Sequence, residues 1–146
     1  MLVQPYFNFD GRAEEAFTFY EKTLGARKEM MIRNSEAPPS AEGGCGDGGG
    51  MPPLPPGSEN KILHISFRIG ESLVMGSDGP CAGKPKFEGI SMALTVAHEG
   101  VAKDKFAALS SGGGQVQMPL IPTFFSPAFG MVQDKFGVSW MIVAEA

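Results

Sequence analysis

The residues best suited to chemistry in this chain are few, and they lie in short alternating runs. In KILHISFRI, residues 61–69, His64, Ser66 and Arg68 recur at every second position among Leu63, Ile65, Phe67 and Ile69. A strand sends alternate side chains to opposite faces, so this run presents an imidazole, a hydroxyl and a guanidinium together above an oily back. His64 is therefore a candidate proton acceptor or hydrogen-bond donor near neutral pH. Its blander role is an imidazole satisfied by backbone or neighbouring polar groups. LVQPYFNF at the start repeats the pattern, setting Gln4, Tyr6 and Asn8 opposite Phe7 and Phe9. Brought beside His64, Ser66 and Arg68, these residues would make a polar pocket for a small anionic or oxygen-rich ligand.

Other reactive types carry less. His98, in VAHEGVAK, stands between a strand and a helix and reads as a solvated cap. Cys45 and Cys81 both fall in apparent loops with no adjacent base, and two cysteines make no disulfide framework. Two free thiols without a nucleophilic role are expected.

The elements that must position these residues follow from periodicity. RAEEAFTFYEKTLGA places Ala13, Ala16, Phe17, Tyr20 and Leu24 at helical spacing, with early glutamates and Gly25 as a stop. ARKEMMIR reads as a strand. KILHISFRI and SLVMGSD flank a tight turn at Gly70-Glu71. EGISMALTVA then sets Ile90, Met92, Leu94 and Val96 on one face and Ser91, Ala93 and Thr95 on the other. VAKDKFAALSSGGG is a second helix through Val101, Ala102, Phe106 and Leu109, and QVQMPLI, GMVQD and VSWMIVAEA are three further strands. The order is β-α-β-β-β, twice, with no clear residue identity between the halves. It predicts an α+β single domain over 1–146, built from a module at 1–84 and another at 85–146. In each, one helix covers one sheet face and leaves the other free to line a cavity.

Composition narrows the partners. With 42% hydrophobic residues, 19% charged residues and a net charge of −4, the chain reads as a globular protein without the basic footprint of a nucleic-acid binder. The start lacks a basic segment followed by an apolar core, and no window approaches a membrane span, so a cytoplasmic location and no membrane partner are expected. GGCGDGGGMPPLPPG, residues 43–57, interrupts the pattern. It is too rich in proline to cradle phosphate and has one thiol where a zinc site needs several. A flexible glycine- and proline-rich loop over 34–60, lying as a cover over the cavity, is the expectation.

NFDGRAEEAFTFYEKTLGA, KILHISFRIGESLVMGSD and Asp134-Lys135-Phe136-Gly137-Val138-Ser139-Trp140 together resemble the PhnB-like branch of the vicinal oxygen chelate superfamily, across essentially the whole chain. The last of these resembles the family's D-P-F-G-V-x-W hairpin; Asp at its first position and Gly at its fourth suit a type I turn. The resemblance implies two tandem βαβββ modules whose sheets form a cup, completed in a homodimer. In metal-dependent members that cup holds a divalent ion through the first, fourth, fifth and eighth strands, most often by His, Gln and Glu. The corresponding candidates here are Gln4, then Met75 and Ser77, then Ser91 and Ala93, then Met141. Thioethers and hydroxyls do not replace carboxylate and imidazole around a hard or borderline divalent ion, so no metal and no cofactor are expected. Met75, Met92 and Met141 would instead make the cup adaptable.

Members of the family are sometimes labelled methyltransferases. The repeated βαβββ order is wrong for a doubly wound cofactor-binding sheet, and the one glycine-rich run leads into prolines rather than a helix. The function expected is therefore a small-molecule-binding or sequestering protein, metal-free or weakly metal-binding, with its ligand in the sheet cup and Gln4, Tyr6, Asn8, His64, Ser66, Arg68, Met75, Ser77, Ser91 and Met141 as candidate contacts. The alternative is a lyase, isomerase or oxygenase-type enzyme using His64 in the cup or a non-standard metal site.

Overall fold

The computed structural model describes residues 1–37, 56–79 and 84–146. Most of the glycine- and proline-rich run and both cysteines, with the expectations placed on them, lie outside the described residues. The elements are β1 (Tyr6–Asn8), α1 (Ala13–Leu24), β2 (Arg27–Arg33), a 3₁₀ turn (Asn34–Glu36), β3 (Ile62–Ile69) and β4 (Ser72–Ser77), followed by β5 (Ser91–Val96), α2 (Glu99–Ser110), β6 (Gln115–Ile121), β7 (Phe129–Gln133) and β8 (Ser139–Ala144). The chain divides into two compact units, Met1–Pro85 and Lys86–Ala146. Their four-stranded sheets run β1-β4-β3-β2 and β5-β8-β7-β6, the same order in both, with β1 parallel to β4 and β5 parallel to β8. The α+β duplication expected from element order is what the fold shows.

In the first unit α1 follows Asp10-Gly11, whose φ values of 50° and 87° turn the chain out of β1. It ends at Gly25, where φ of 71° is the left-handed conformation that suits glycine and returns the Gly25 N–H to Glu21 O. The helix buries Ala13, Ala16, Phe17, Tyr20 and Leu24 as its spacing predicts, and Thr23 with them. Phe17 and Tyr20 meet Phe67 of β3 with ring centroids 5.5 and 6.0 Å apart, and Phe9 lies 6.4 Å from Tyr20. Burying each such ring contributes about 1.5–3 kcal/mol, and each well-placed ring pair about 0.5–1.5 more.

The N-terminus of α1 has no cap from its own side chains, because Arg12 makes no capping bond. Asp78 supplies it from just beyond β4: Oδ1 accepts from the Ala13 N–H at 2.8 Å and Oδ2 from the Ile62 N–H at 2.6 Å. One buried carboxylate thus ties helix, third strand and fourth strand together. The expected loop 34–60 is held at both ends: the Asn34 and Ser35 N–H groups donate to Lys61 O and Glu59 O, each at 2.9 Å. Arg33 donates to Glu14 at 2.8 Å, and that hydrogen bond, with the Glu14 charge, holds the guanidinium pKa above its ordinary value.

The second unit packs differently. His98 caps α2, with Nδ1 accepting from the Val101 N–H at 3.4 Å, in the capping role its sequence position suggests. The helix buries only Ala102 and Leu109 fully. Phe106 reaches the sheet because Gly130 of β7 leaves room; a Cβ there would lie 2.8 Å from its ring and 3.0 Å from Leu120 Cα. Val132, Trp140, Ile142 and Ala144 form the buried side of this sheet. Ile90, expected among the apolar residues of β5, precedes the strand and is 67% exposed.

The turn joining β7 to β8 is organised by Asp134, which is 3% exposed. Its Oδ1 accepts from the N–H groups of Phe136 and Val138 at 2.9 and 3.1 Å, and its Oδ2 from Trp140 Nε1 at 2.9 Å. The Gly137 N–H returns to Asp134 O at 2.9 Å, and Gly137 sits at φ of 89°. A type I turn followed by a left-handed residue matches the twist of a hairpin.

Candidate functional site

In the first unit, the sheet face turned away from α1 gathers residues from all four strands. Tyr6 is the register partner of Met75, Met75 of Ser66, and Ser66 of Met30, so β1, β4, β3 and β2 each place one side chain in a single cross-strand row. Asn8 pairs with Ser77, and His64 with Ile32, in the next row. Paired residues share a face, and Arg68, two positions beyond Ser66, lies on it as well. Phe7, Ile65, Phe67 and Val74 go to the opposite side and are buried. Seven of the ten candidate contacts, from Tyr6 to Ser77, are thus brought onto one sheet face.

The side chains on it are partly engaged. The Tyr6 hydroxyl lies 3.4 Å from His64 Nδ1, with the rings tilted at 36° and centroids 5.7 Å apart. Which of the two donates depends on the imidazole tautomer. Ser77 Oγ donates to Asn8 Oδ1 at 3.1 Å and accepts from the Gly79 N–H at 3.1 Å, fixing the hydroxyl and the amide in place. Arg68 is tied at the end of the face: Nε donates to Glu29, and Nη1 donates to Glu71 O at 2.9 Å. A guanidinium already matched to a carboxylate is a poorer anion receptor than a free one. Gln4, expected within the first strand, precedes it, since β1 begins at Tyr6 after Pro5.

In the second unit, the face turned away from α2 is built of three rows. Ser91, Ser139, Gln133 and Gln115 are successive register partners. Beside them run Ala93, Met141, Met131 and Met118, and then Thr95, Val143, Phe129 and Ile121. Ser139 Oγ donates to Gln117 Oε1 at 2.5 Å. Ser91 and Met141, the two candidates from this half, occupy adjacent rows.

A family model described as 3-demethylubiquinone-9 3-methyltransferase matches residues 50–143. Protein YjdN of Escherichia coli (strain K12) is 34% identical over 145 residues, covering 97% of this chain and 94% of the relative. A Bacillus cereus structure named as a putative 3-demethylubiquinone-9 3-methyltransferase, PhnB protein, is 25% identical with a TM-score of 0.76, and 99% of both chains is covered. The chain belongs to the PhnB-like family.

Among solved structures, protein PA1353 from Pseudomonas aeruginosa is 34% identical with a TM-score of 0.80, over 99% of this chain and 98% of that one. The fold itself is shared more widely. A glyoxylase/bleomycin resistance protein/dioxygenase domain from Frankia sp. EAN1pec superposes with a TM-score of 0.61 at 11% identity, covering 99% and 94% of the two chains.

The positions at which the resemblance would place a divalent ion carry thioethers, hydroxyls and the methyl of Ala93 on the strands, with the Gln4 amide ahead of β1. Among the described residues no three His, Cys, Asp or Glu side chains come together to hold a metal. The donor set therefore does not fit a hard or borderline divalent ion.

Two residues that organise these units have roles that the sequence pattern alone does not show. Asp78 follows a strand in sequence, yet it caps α1 from 65 residues away. The turn role of Asp134 is visible in local spacing, but its bond to the Trp140 indole has no signature there. A short polar residue directly after each of two apolar strands was the available signal.

Proposed function

We propose that this chain is a small-molecule-binding protein that holds its ligand on the uncovered sheet faces without a dedicated divalent ion. The observation that carries this reading is the convergence of Tyr6, Asn8, His64, Ser66, Met75 and Ser77 on the one face of the first sheet that α1 leaves open. Polar groups fixed by their own hydrogen bonds, such as Asn8 and Ser77, are pre-organised to orient a ligand's oxygens, and Met75 adapts to its shape. The candidate contacts are those six residues together with Arg68, Gln4, Ser91 and Met141. A homodimer and a cytoplasmic location remain part of the proposal; no helix among the described residues is long and apolar enough to cross a membrane.

A second reading is favoured by the Tyr6–His64 contact. A hydroxyl within 3.4 Å of an imidazole on an open face is the arrangement a proton-transfer enzyme of lyase, isomerase or oxygenase type would use. The methyltransferase activity in the family's description is not adopted, because each unit is a βαβββ module with no doubly wound sheet to seat a nucleotide-type cofactor.

The test is a thermal-shift survey of the purified protein against divalent ions and a panel of oxygen-bearing small molecules, with His64→Ala alongside. Ligand-dependent stabilisation that is unchanged by chelator and weakened by His64→Ala supports binding. Stoichiometric ion binding that Gln4→Ala or His64→Ala abolishes contradicts it. Turnover of a bound compound that His64→Ala removes would establish the second reading instead.

A further inference from the structure

The second unit's uncovered face is ordered by polarity, and this bears on the chemistry of the ligand. Its first row is hydroxyl and amide, through Ser139 and Gln133; its second is thioether, through Met141 and Met131; its third is apolar and aromatic, through Val143 and Phe129. None of the twelve register positions in these rows carries a charge. The apolar end continues outward, because the Phe125 ring stands edge-on to Phe129 at 5.2 Å and to Phe124 at 5.1 Å. Phe124 is wholly exposed and Phe125 half-exposed. Neighbouring rows on one face of a strand are two residues apart, about 6–7 Å, so the passage from hydroxyl to aromatic spans roughly 13 Å, the length of a small molecule.

We infer that this face takes an uncharged amphipathic ligand, with oxygens hydrogen-bonded at the serine–glutamine row and an apolar body lying over the methionines towards Phe129. The inference rests on the binding reading above and names its ligand class. A carboxylate or phosphate would have to give up water on these rows without meeting a cation, which is costly. An uncharged ring or chain gives up little and gains contact with polarisable sulfur, which suits aromatic and irregular apolar surfaces.

The experiment is calorimetric titration with the methyl, ethyl and butyl esters of 4-hydroxybenzoic acid and with the free 4-hydroxybenzoate anion. These share a ring and a phenol and differ in charge and apolar length. The esters should bind at least tenfold more tightly than the anion, and affinity should rise roughly two- to fourfold per added methylene. Val143→Gln should flatten that rise; Ile121→Ser, at an exposed edge of the apolar row, should reduce it even if the first variant folds poorly. An anion that binds as well as the esters, or affinity independent of chain length, overturns the ligand class and leaves the binding reading standing. If no ester binds, the inference falls, and the broader panel still decides the reading. A dimer that Met131→Glu dissociates, with no ester bound, would give this face to a second copy of the chain and also overturn the inference.

Discussion

α1 lays Phe17 and Tyr20 against Phe67, whereas α2 fully buries only an alanine and a leucine and brings Phe106 down over a glycine. The two units repeat one strand order and fill it by different means. The first is held by an aromatic cluster and by a carboxylate, Asp78, that joins distant elements. The second depends on close backbone approach at Gly130 and on a carboxylate, Asp134, that organises a turn and reaches the indole beyond it. Their uncovered faces differ too: one bears a histidine, a tyrosine and a paired arginine, the other is free of charge along all three of its rows. What the duplication preserves is topology; the chemistry of each face is set separately.

That contrast can be broken at its strongest points first. Phe67→Ala removes the ring on which both α1 aromatics pack and should cost about 3–5 kcal/mol, read as a lowered midpoint in denaturant followed by circular dichroism. Leu109→Ala, the nearest equivalent under α2, should cost less, and a larger loss there would reverse the comparison. Asp134→Ala leaves two buried amides and an indole N–H without their acceptor. A loss of about 3 kcal/mol is expected, accompanied by a shift in the emission of Trp140, the chain's one tryptophan. Gly130→Ala should cost about 1–3 kcal/mol, because the new methyl meets Phe106 and the Leu120 backbone; trimming the ring in the double variant Gly130→Ala/Phe106→Leu should return part of it. The smallest effect belongs to Tyr6→Phe. Loss of a long, exposed hydrogen bond should change stability by less than about 0.5 kcal/mol while moving the His64 ring resonances in NMR.

Much of this was legible in the sequence because it is local. The alternation of Phe7 and Phe9 with Tyr6 and Asn8, and of Ile65 and Phe67 with His64, Ser66 and Arg68, fixes which side chains share a face. The spacing from Ala13 to Leu24 fixes the helix that covers the other. Register across strands was out of reach, and with it the rows Tyr6–Met75–Ser66–Met30 and Met141–Met131–Met118, since these depend on pairings between segments up to some seventy residues apart. The commitment of Arg68 to Glu29 was hidden for the same reason: the partners are 39 residues apart and meet only once β2 lies beside β3. Alternation overreaches at two strand starts: Gln4 precedes β1, which begins after Pro5, and Ile90 precedes β5.

The central claim is that ligand binds on the sheet faces the helices leave open, and chemical-shift mapping tests it most directly. A compound found by thermal shift would be titrated into isotopically labelled protein while backbone amides and methionine methyls are followed. The account predicts that the largest changes fall at Tyr6, Asn8, His64, Ser66 and Met75 or along the Met118–Met131–Met141 row, with Phe17, Tyr20 and Leu109 little affected. Changes concentrated instead on the helices, or absent from both open faces at saturation, would contradict it.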